Sequence, residues 1–187
     1  MERAMLKEGD AAPAFSARPI FGYPVEVPAG LKAGPIVLFF VPFLGSPFAR
    51  RTLALLQERF ADFDRRGIRI VAITQTELTA ARDFVPRYHL LYPLITDPEG
   101  ELQSLFDIQE DRYLLSSVRS LLSGGSGATG GTGGLMEFGV GWFNGPVRQL
   151  GAEFVLDRSG TVRMAHYASG VADVPDLDAL LQCASSC

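Results

Sequence analysis

The stretch that most constrains the fold is an uninterrupted apolar run at residues 36–41, IVLFFV, which passes directly into a segment with helical periodicity. An apolar run without polar alternation predicts a strand that is buried on both faces. In the following segment, 47–65, apolar side chains recur at spacings of three and four: Leu53, Leu56, Phe60 and Phe63. This spacing predicts a helix with one face packed against the strand.

The rest of the chain continues this alternation. We predict strands at 68–74, 92–96, 153–157 and 161–167, helices at 77–88, 98–106 and 175–182, and a small hairpin at 21–27. Thr76 is the predicted N-cap of the helix at 77–88, and residues 157–160 are the predicted turn of the last hairpin. The β-α-β-α order predicts a single α/β domain over 1–187, with a mixed central sheet flanked by helices.

Composition excludes several classes of function. Lys and Arg total 17 against 21 Asp and Glu, with a net charge of -4, so no nucleic-acid partner is expected. No stretch approaches the ~20 apolar residues of a membrane span, so no membrane partner is expected and the expected location is cytoplasmic. The chain has only two cysteines and two histidines, which argues against a disulfide scaffold or a metal site, and no cofactor is implied.

Residues 123–134, SGGSGATGGTGG, are a low-complexity tract that predicts a flexible surface loop or lid. The tract lacks the Lys-Ser/Thr ending of a phosphate-binding loop, and no strand precedes it. Apolar and aromatic residues follow it, among them Phe138, Trp142 and Phe143, which either line a pocket beneath the loop or belong to the core.

Four passages, in collinear order, resemble the peroxiredoxin-like superfamily (alkyl hydroperoxide reductase and thiol-specific antioxidant proteins). They are GDAAPAF at 9–15, the strand and corner from residue 36, the passage at 72–102 that contains YPLITDPEGEL, and EFVLDRSGTVRMAHY at 153–167. The resemblance implies a thioredoxin-like fold and, because the family often dimerises, a homodimer. The final stretch is most similar to the branch of prostamide/prostaglandin F synthase-like proteins.

The corner at 41–50, VPFLGSPFAR, matches the family's Pro-x-x-x-Thr/Ser-x-x-Cys motif except at its reactive position. Pro42 holds the proline position and Ser46 the hydroxyl position, whereas Ala49 stands where the peroxidatic cysteine is expected. Read against the Cys-x-x-Cys branch, Ser46 and Ala49 replace both cysteines. The arginine that supports the family's thiolate is not matched either, since Gly151 occupies its position and Arg148 lies three residues upstream.

The candidate ligand-binding residues therefore come from the corner and from the aromatic segment. They are Pro42, Phe43, Ser46, Ala49, Arg50, Trp142, Asn144 and Arg148. Ser46 is either an N-cap or a hydroxyl that contacts a ligand. Arg50, with Arg51, opens the helix where a positive charge opposes its dipole, so it either binds an anion or faces solvent.

Two further groups carry chemistry of their own. His166, on a predicted strand, is either a satisfied histidine or a base. Cys183 and Cys187 are spaced one helical turn apart and are either a frayed tail or a relocated resolving thiol.

Three functions remain open. The first is a divergent member of the superfamily without thiol chemistry, which binds or converts a small apolar molecule in the former peroxide pocket, for example as an enzyme of a specialised biosynthetic pathway. The second is a thiol peroxidase or reductase whose cysteines have been replaced by Ser46 and Ala49. The third is a non-catalytic interaction module.

Overall fold

The computed structural model describes residues 4–108, 150–170, 173 and 175–187. In chain order the elements are β1 Phe15–Ala17, β2 Val25–Val27, a 3₁₀ helix Ala29–Ala33, β3 Ile36–Val41, α1 Pro47–Asp64, β4 Arg69–Thr74, α2 Leu78–Arg87, β5 Leu94–Thr96, α3 Glu101–Leu105, β6 Ala152–Leu156, β7 Val162–Tyr167 and α4 Leu177–Ser185. The fold is a mixed α/β architecture of the thioredoxin type.

The central sheet has five strands in the order β5-β4-β3-β6-β7. Strand β3 pairs in parallel with β4 and antiparallel with β6, so it lies in the middle of the sheet. All six of its residues are buried, as the continuous apolar run predicts. The short strands β1 and β2 form a separate antiparallel pair.

Two hydrophobic clusters cover the two faces of the sheet. Phe39 of β3 lies in the first cluster with Leu53 of α1 and Leu180 of α4, and this side is called the α1 face. Phe40 points the opposite way, into the second cluster with Phe106 and Phe154, and this side is called the α3 face. The rings of Phe40 and Phe106 have centroids 5.0 Å apart. The alternation of neighbours along β3 therefore fixes which residues can reach each face.

Most of the predicted elements are confirmed, with boundaries that shift by a few residues. The helix at 47–65 is α1, Pro47–Asp64, and the strand at 68–74 is β4, Arg69–Thr74. The predicted hairpin at 21–27 is wrong, because only Val25–Val27 is a strand and it pairs with Phe15–Ala17 instead. Among the described residues, no helix combines the length and apolarity that crossing a bilayer requires.

The capping predictions need two corrections. Thr76 is not the N-cap of α2; Glu77 holds that position, and the Thr76 hydroxyl accepts a hydrogen bond from the backbone N–H of Leu44. The last helix begins later and ends later than predicted, at Leu177–Ser185. Its N-cap is Asp176, which accepts hydrogen bonds from the N–H groups of Asp178 and Ala179. The glycine-rich tract at 123–134 lies outside the described residues.

Candidate functional site

The β3–α1 corner is held by the end of the neighbouring strand β4. The Thr74 hydroxyl donates to the carbonyl of Pro42 at 2.9 Å, and the N–H of Leu44 donates to the Thr76 hydroxyl at 2.7 Å. The two threonine hydroxyls are 3.2 Å apart, so they join both contacts into one network. Thr74 is fully buried, and the network gives partners to two backbone groups of the partly buried corner.

Arg50 closes the same loop from the helix side. Its Nε donates to the carbonyl of Leu44 at 2.7 Å, and its guanidinium carbon lies 6.0 Å from the centroid of the Tyr88 ring. The Tyr88 ring in turn stacks on Phe84 at 4.1 Å. The guanidinium is therefore engaged with a backbone carbonyl and an aromatic face, which is a structural role for this side chain.

Ser46 and Ala49 lie where the sequence places them, at the start of α1. Ser46 is the N-cap residue and its carbonyl accepts from the N–H of Arg50, but its hydroxyl makes no capping hydrogen bond. The prediction that Ser46 is the N-cap is thus confirmed for its position, although the backbone of Ser46 begins the helix without a hydrogen bond to the hydroxyl. Ala49 is 1% exposed and packs in the core of the α1 face. The corner is folded around a methyl group where a thiol is expected.

Gly151 directly precedes β6 at the same end of the sheet. A Cβ at this position would lie 3.4 Å from the carbonyl oxygen of Phe40, one residue before the end of β3. By the resemblance, Gly151 stands where the family has its arginine. In the structure Gly151 lies next to the end of β3, so this position supplies no positive charge.

A cavity of about 290 Å³ lies next to this glycine. Its described lining presents polar and apolar surface in nearly equal amounts and consists of Met5, Ile108, Leu150, Gly151, Tyr167, Ala168 and Ser169. The Tyr167 hydroxyl is occupied, because it donates to the carbonyl of Phe106 and accepts from the N–H of Leu6. None of the corner residues Pro42, Phe43, Ser46, Ala49 and Arg50 belongs to the described lining, so the cavity is separate from the corner, and Gly151 is the lining residue that contacts the end of β3.

A buried acid and a half-exposed histidine form a pair on the α1 face of the sheet. Glu153 of β6 is 3% exposed and lies opposite Phe39 in the sheet register. Its Oε2 is 2.6 Å from Nδ1 of His166, and Nε2 of His166 is 3.5 Å from Oδ2 of Asp173. Burial raises the pKa of Glu153, and the hydrogen bond to Glu153 raises the pKa of His166. His166 is therefore a paired histidine, bonded to a carboxyl that sequence reasoning missed.

The two cysteines do not fray from the fold. Cys183 belongs to α4, and both Cys183 and Cys187 are partly buried against the core of the α1 face. The prediction of a frayed tail is wrong because α4 is amphipathic and buries Leu177, Leu180, Leu181 and Ala184.

Three of the candidate ligand-binding residues, Trp142, Asn144 and Arg148, lie outside the described residues, as does Phe138. The five candidates at the corner are brought together, although Phe43 and Ala49 are buried and Arg50 faces its own loop. The part of the chain that the structure describes contains no group of three or more side chains suited to holding a metal ion.

Comparison with known proteins assigns the family. The AhpC/TSA family matches residues 9–165. The chain belongs to this family. The structure of peroxidoxin BcpB from Mycobacterium tuberculosis matches with a TM-score of 0.69 at 18% identity, covering 98% of each chain. A cysteine-to-serine variant of peroxiredoxin 6 from Arenicola marina matches with a TM-score of 0.69 at 16% identity, covering 97% of this chain and 73% of the other.

Peroxiredoxin Q from Xanthomonas campestris matches with a TM-score of 0.65 at 15% identity, covering 92% of this chain and 90% of the other. These similarities establish the peroxiredoxin-type fold. No curated protein sequence matches the chain. The likeness to the prostamide/prostaglandin F synthase branch stays a prediction.

Sequence reasoning found the corner but missed the residues that support it. No local sequence pattern indicates that Thr74 and Thr76 support the corner, because their partners Pro42 and Leu44 are 32 residues away in the chain. Glu153 did carry a signal: it is a carboxylate inside a strand whose other residues are apolar, and such a charge requires a partner.

Proposed function

We propose that this chain is a member of the AhpC/TSA family that has lost thiol chemistry at the β3–α1 corner and binds a small apolar molecule in the cavity next to Gly151. The observation that carries the proposal is the state of the corner. Ala49 is buried in the first turn of α1, and its methyl group can neither reduce a peroxide nor exchange a disulfide.

The electrostatics of the corner support a non-peroxide ligand. Gly151 supplies no cation, and the nearby guanidinium of Arg50 is bonded to the carbonyl of Leu44. The buried ionisable group on the adjoining strand is the carboxyl of Glu153. The corner therefore keeps the charge of Arg50 and the amides of the first turn of α1, but it lacks a cation at position 151, so it offers an oxyanion or a thiolate less positive charge than the family's motif implies.

The size of the cavity and its apolar side chains support a small ligand with apolar surface. Its volume of about 290 Å³ is at the lower end of the ~300–1,000 Å³ typical of ligand pockets. The side chains of Met5, Ile108 and Leu150 supply apolar surface, and Ser169 supplies a hydroxyl. That hydroxyl donates to Asp173 at 3.0 Å, which fixes its orientation.

A thermal-shift screen tests the proposal. The probes are a panel of small apolar carbonyl and polycyclic compounds, and at least one is expected to raise Tm by binding the folded state alone. Ala168→Phe places a ring in the cavity and should abolish the shift, whereas Ala80→Phe, the same change at an exposed alanine of α2, should preserve it. No shift from any compound, or a shift that survives Ala168→Phe, would contradict a ligand site in this cavity.

A homodimer is the second part of the proposal. Large apolar side chains are exposed in the β1–β2 connection and before β5: Phe21 is 59%, Tyr23 91% and Leu91 63% exposed. The N–H of Ile20 donates to the carbonyl of Leu94, which places this connection along the edge of β5. An apolar edge of this kind favours association.

Light scattering tests this part of the proposal. The native protein should be a dimer, and the double variant Phe21→Ser, Tyr23→Ser should be a monomer. A monomeric native protein would contradict the proposed dimer.

A further inference from the structure

Cys183 lies in the last turn of α4, and Cys187 follows two residues after the helix ends. The Cys187 thiol donates to the carbonyl of Cys183 at 3.3 Å, which places its sulfur directly over the turn that carries Cys183. Residues four apart on a helix have Cβ atoms about 5–6 Å apart. A disulfide needs Cα atoms within about 4.4–6.8 Å and Cβ atoms within about 3.5–4.5 Å. The pair therefore needs a small closing movement to form a bond.

The backbone at Cys187 allows that movement. Helix α4 ends at Ser185, so Cys187 lies beyond the last helical residue. Its N–H donates to the carbonyl of Ala184 at 3.4 Å, a long contact, compared with 3.1 Å for the bond from Ser186 to the carbonyl of Cys183. Closing the pair would cost one weak backbone hydrogen bond and one S–H contact while the helix itself stays intact.

Three charged groups from other elements face the thiols. Burial raises the pKa of both thiols; Glu8 adds to this at Cys183 and Asp157 at Cys187, while Arg163 of β7 lowers the pKa of each. Arg163 is itself held by Asp157 at 2.7 Å. The net upward shift keeps both sulfurs largely protonated at neutral pH, so oxidation should be slow and should accelerate as the pH rises.

We propose that Cys183 and Cys187 are a redox-sensitive dithiol that a hydroperoxide converts into an intramolecular disulfide. One thiolate attacks a peroxide oxygen, the O–O bond breaks, and a sulfenic acid forms while the other oxygen leaves as water or an alcohol. The second thiol then attacks the sulfenic sulfur, the S–S bond forms and water leaves. The two thiols supply the two electrons that reduce the peroxide, and their protons end in the released water or alcohol.

This site is separate from the ligand cavity and does not depend on the function proposed for it. Because the disulfide closes a loop of only five residues, it adds little constraint to the unfolded chain and should leave the global stability almost unchanged. Its effect is local: it removes the thiol donor from the carbonyl of Cys183 and fixes the end of α4 beside Arg163.

Mass spectrometry of the full chain after treatment with hydrogen peroxide tests this proposal. The expected product has lost two hydrogens and both free thiols at the same time, and dithiothreitol restores the thiols. The rate of oxidation should rise between pH 7 and pH 9 and should not depend on the protein concentration. In Cys183→Ser or Cys187→Ser the remaining cysteine should instead be trapped as a sulfenic acid by dimedone.

Arg163→Gln gives a second readout, because removing the charge that lowers both thiol pKa values should slow oxidation of the native pair several-fold. Independent oxidation of each cysteine to sulfinic acid would overturn the proposal, as would disulfide-linked dimers on a non-reducing gel. Thiols that react only after the chain has been unfolded would overturn it as well.

Discussion

An active site usually combines a loop of fixed shape with reactive side chains. In this chain the loop is the β3–α1 corner, and the reactive side chains lie in a separate region formed by β6, β7 and α4. The corner at residues 42–50 keeps the architecture of a reactive loop, with Thr74 and Thr76 holding its backbone, but it contains no thiol. The β6–β7–α4 region contains the reactive groups: the Glu153–His166 pair and both cysteines. The loop geometry of a reactive site and the side chains that could react are therefore in different parts of the molecule.

This difference shows that the shape of the corner does not depend on its reactive residue. The corner is fixed by backbone hydrogen bonds to two threonines, by the contact of Arg50 with Leu44 and by the burial of Ala49. A side chain at position 49 can therefore change without loss of the loop, provided that it stays small. Chemistry can be lost from such a site while its scaffold is retained.

The largest expected effect concerns the support of the corner. Thr74→Val removes the hydroxyl that donates to the carbonyl of Pro42 and leaves that acceptor without its partner. The free energy of unfolding should fall by about 2 kcal/mol, the usual cost of an unsatisfied buried group. Thr96→Val, at the residue paired with Thr74 on β5, should change it by less than about 0.5 kcal/mol. Urea denaturation measures both, and equal losses would show that the hydroxyl does not support the corner.

The next effect concerns the turn of the other region. Burial raises the pKa of Asp157, but hydrogen bonds from the Ser159 hydroxyl, the Thr161 and Ser159 N–H groups and Arg163 lower it to about 2. Since the ordinary value is 3.8, this stabilisation is present above pH 4 and is lost as the pH falls through about 2.

Asp157→Asn should therefore lower the free energy of unfolding by about 1–2 kcal/mol at pH 7, and by progressively less between pH 4 and pH 2. Asp64→Asn, at an exposed aspartate at the end of α1, is the matched control and should have almost no effect. If the loss of unfolding free energy in Asp157→Asn does not change with pH, the side chain contributes through its packing and not through its charge.

The smallest effect concerns the acid–histidine pair. Hydrogen bonding to Glu153 raises the pKa of His166 above 6.5, with burial acting in the opposite direction. A raised pKa contributes stability that is complete below pH 6.5 and is lost as the pH rises through the raised value. His166→Asn should cost less than about 1 kcal/mol near pH 6, because the histidine side chain is 39% exposed, and the cost should shrink as the pH rises through the raised pKa.

Both the strand at 36–41 and the family assignment were predictable, because they depend on local patterns: an apolar run and collinear motifs. The supports of the corner were not, because they join Pro42 to Thr74 and Leu44 to Thr76 across 32 residues. Likewise, the partner of His166 became apparent only when the register of β6 and β7 placed Glu153 opposite it. Side-chain contacts between strands require register, and register is set by the whole sheet.

Ala49→Cys tests the central claim most directly, namely that the corner keeps its shape but not the machinery of a peroxidase. In a Cys183→Ser, Cys187→Ser background, the new thiol is the only one in the chain. Its rate of reaction with hydrogen peroxide should not exceed that of free cysteine at the same pH, because the position is 1% exposed, Gly151 offers no cation and Arg50 is bonded to Leu44. A rate more than about 100-fold above free cysteine, equivalent to about 2.7 kcal/mol of transition-state stabilisation, would show that the machinery remains and would contradict the account.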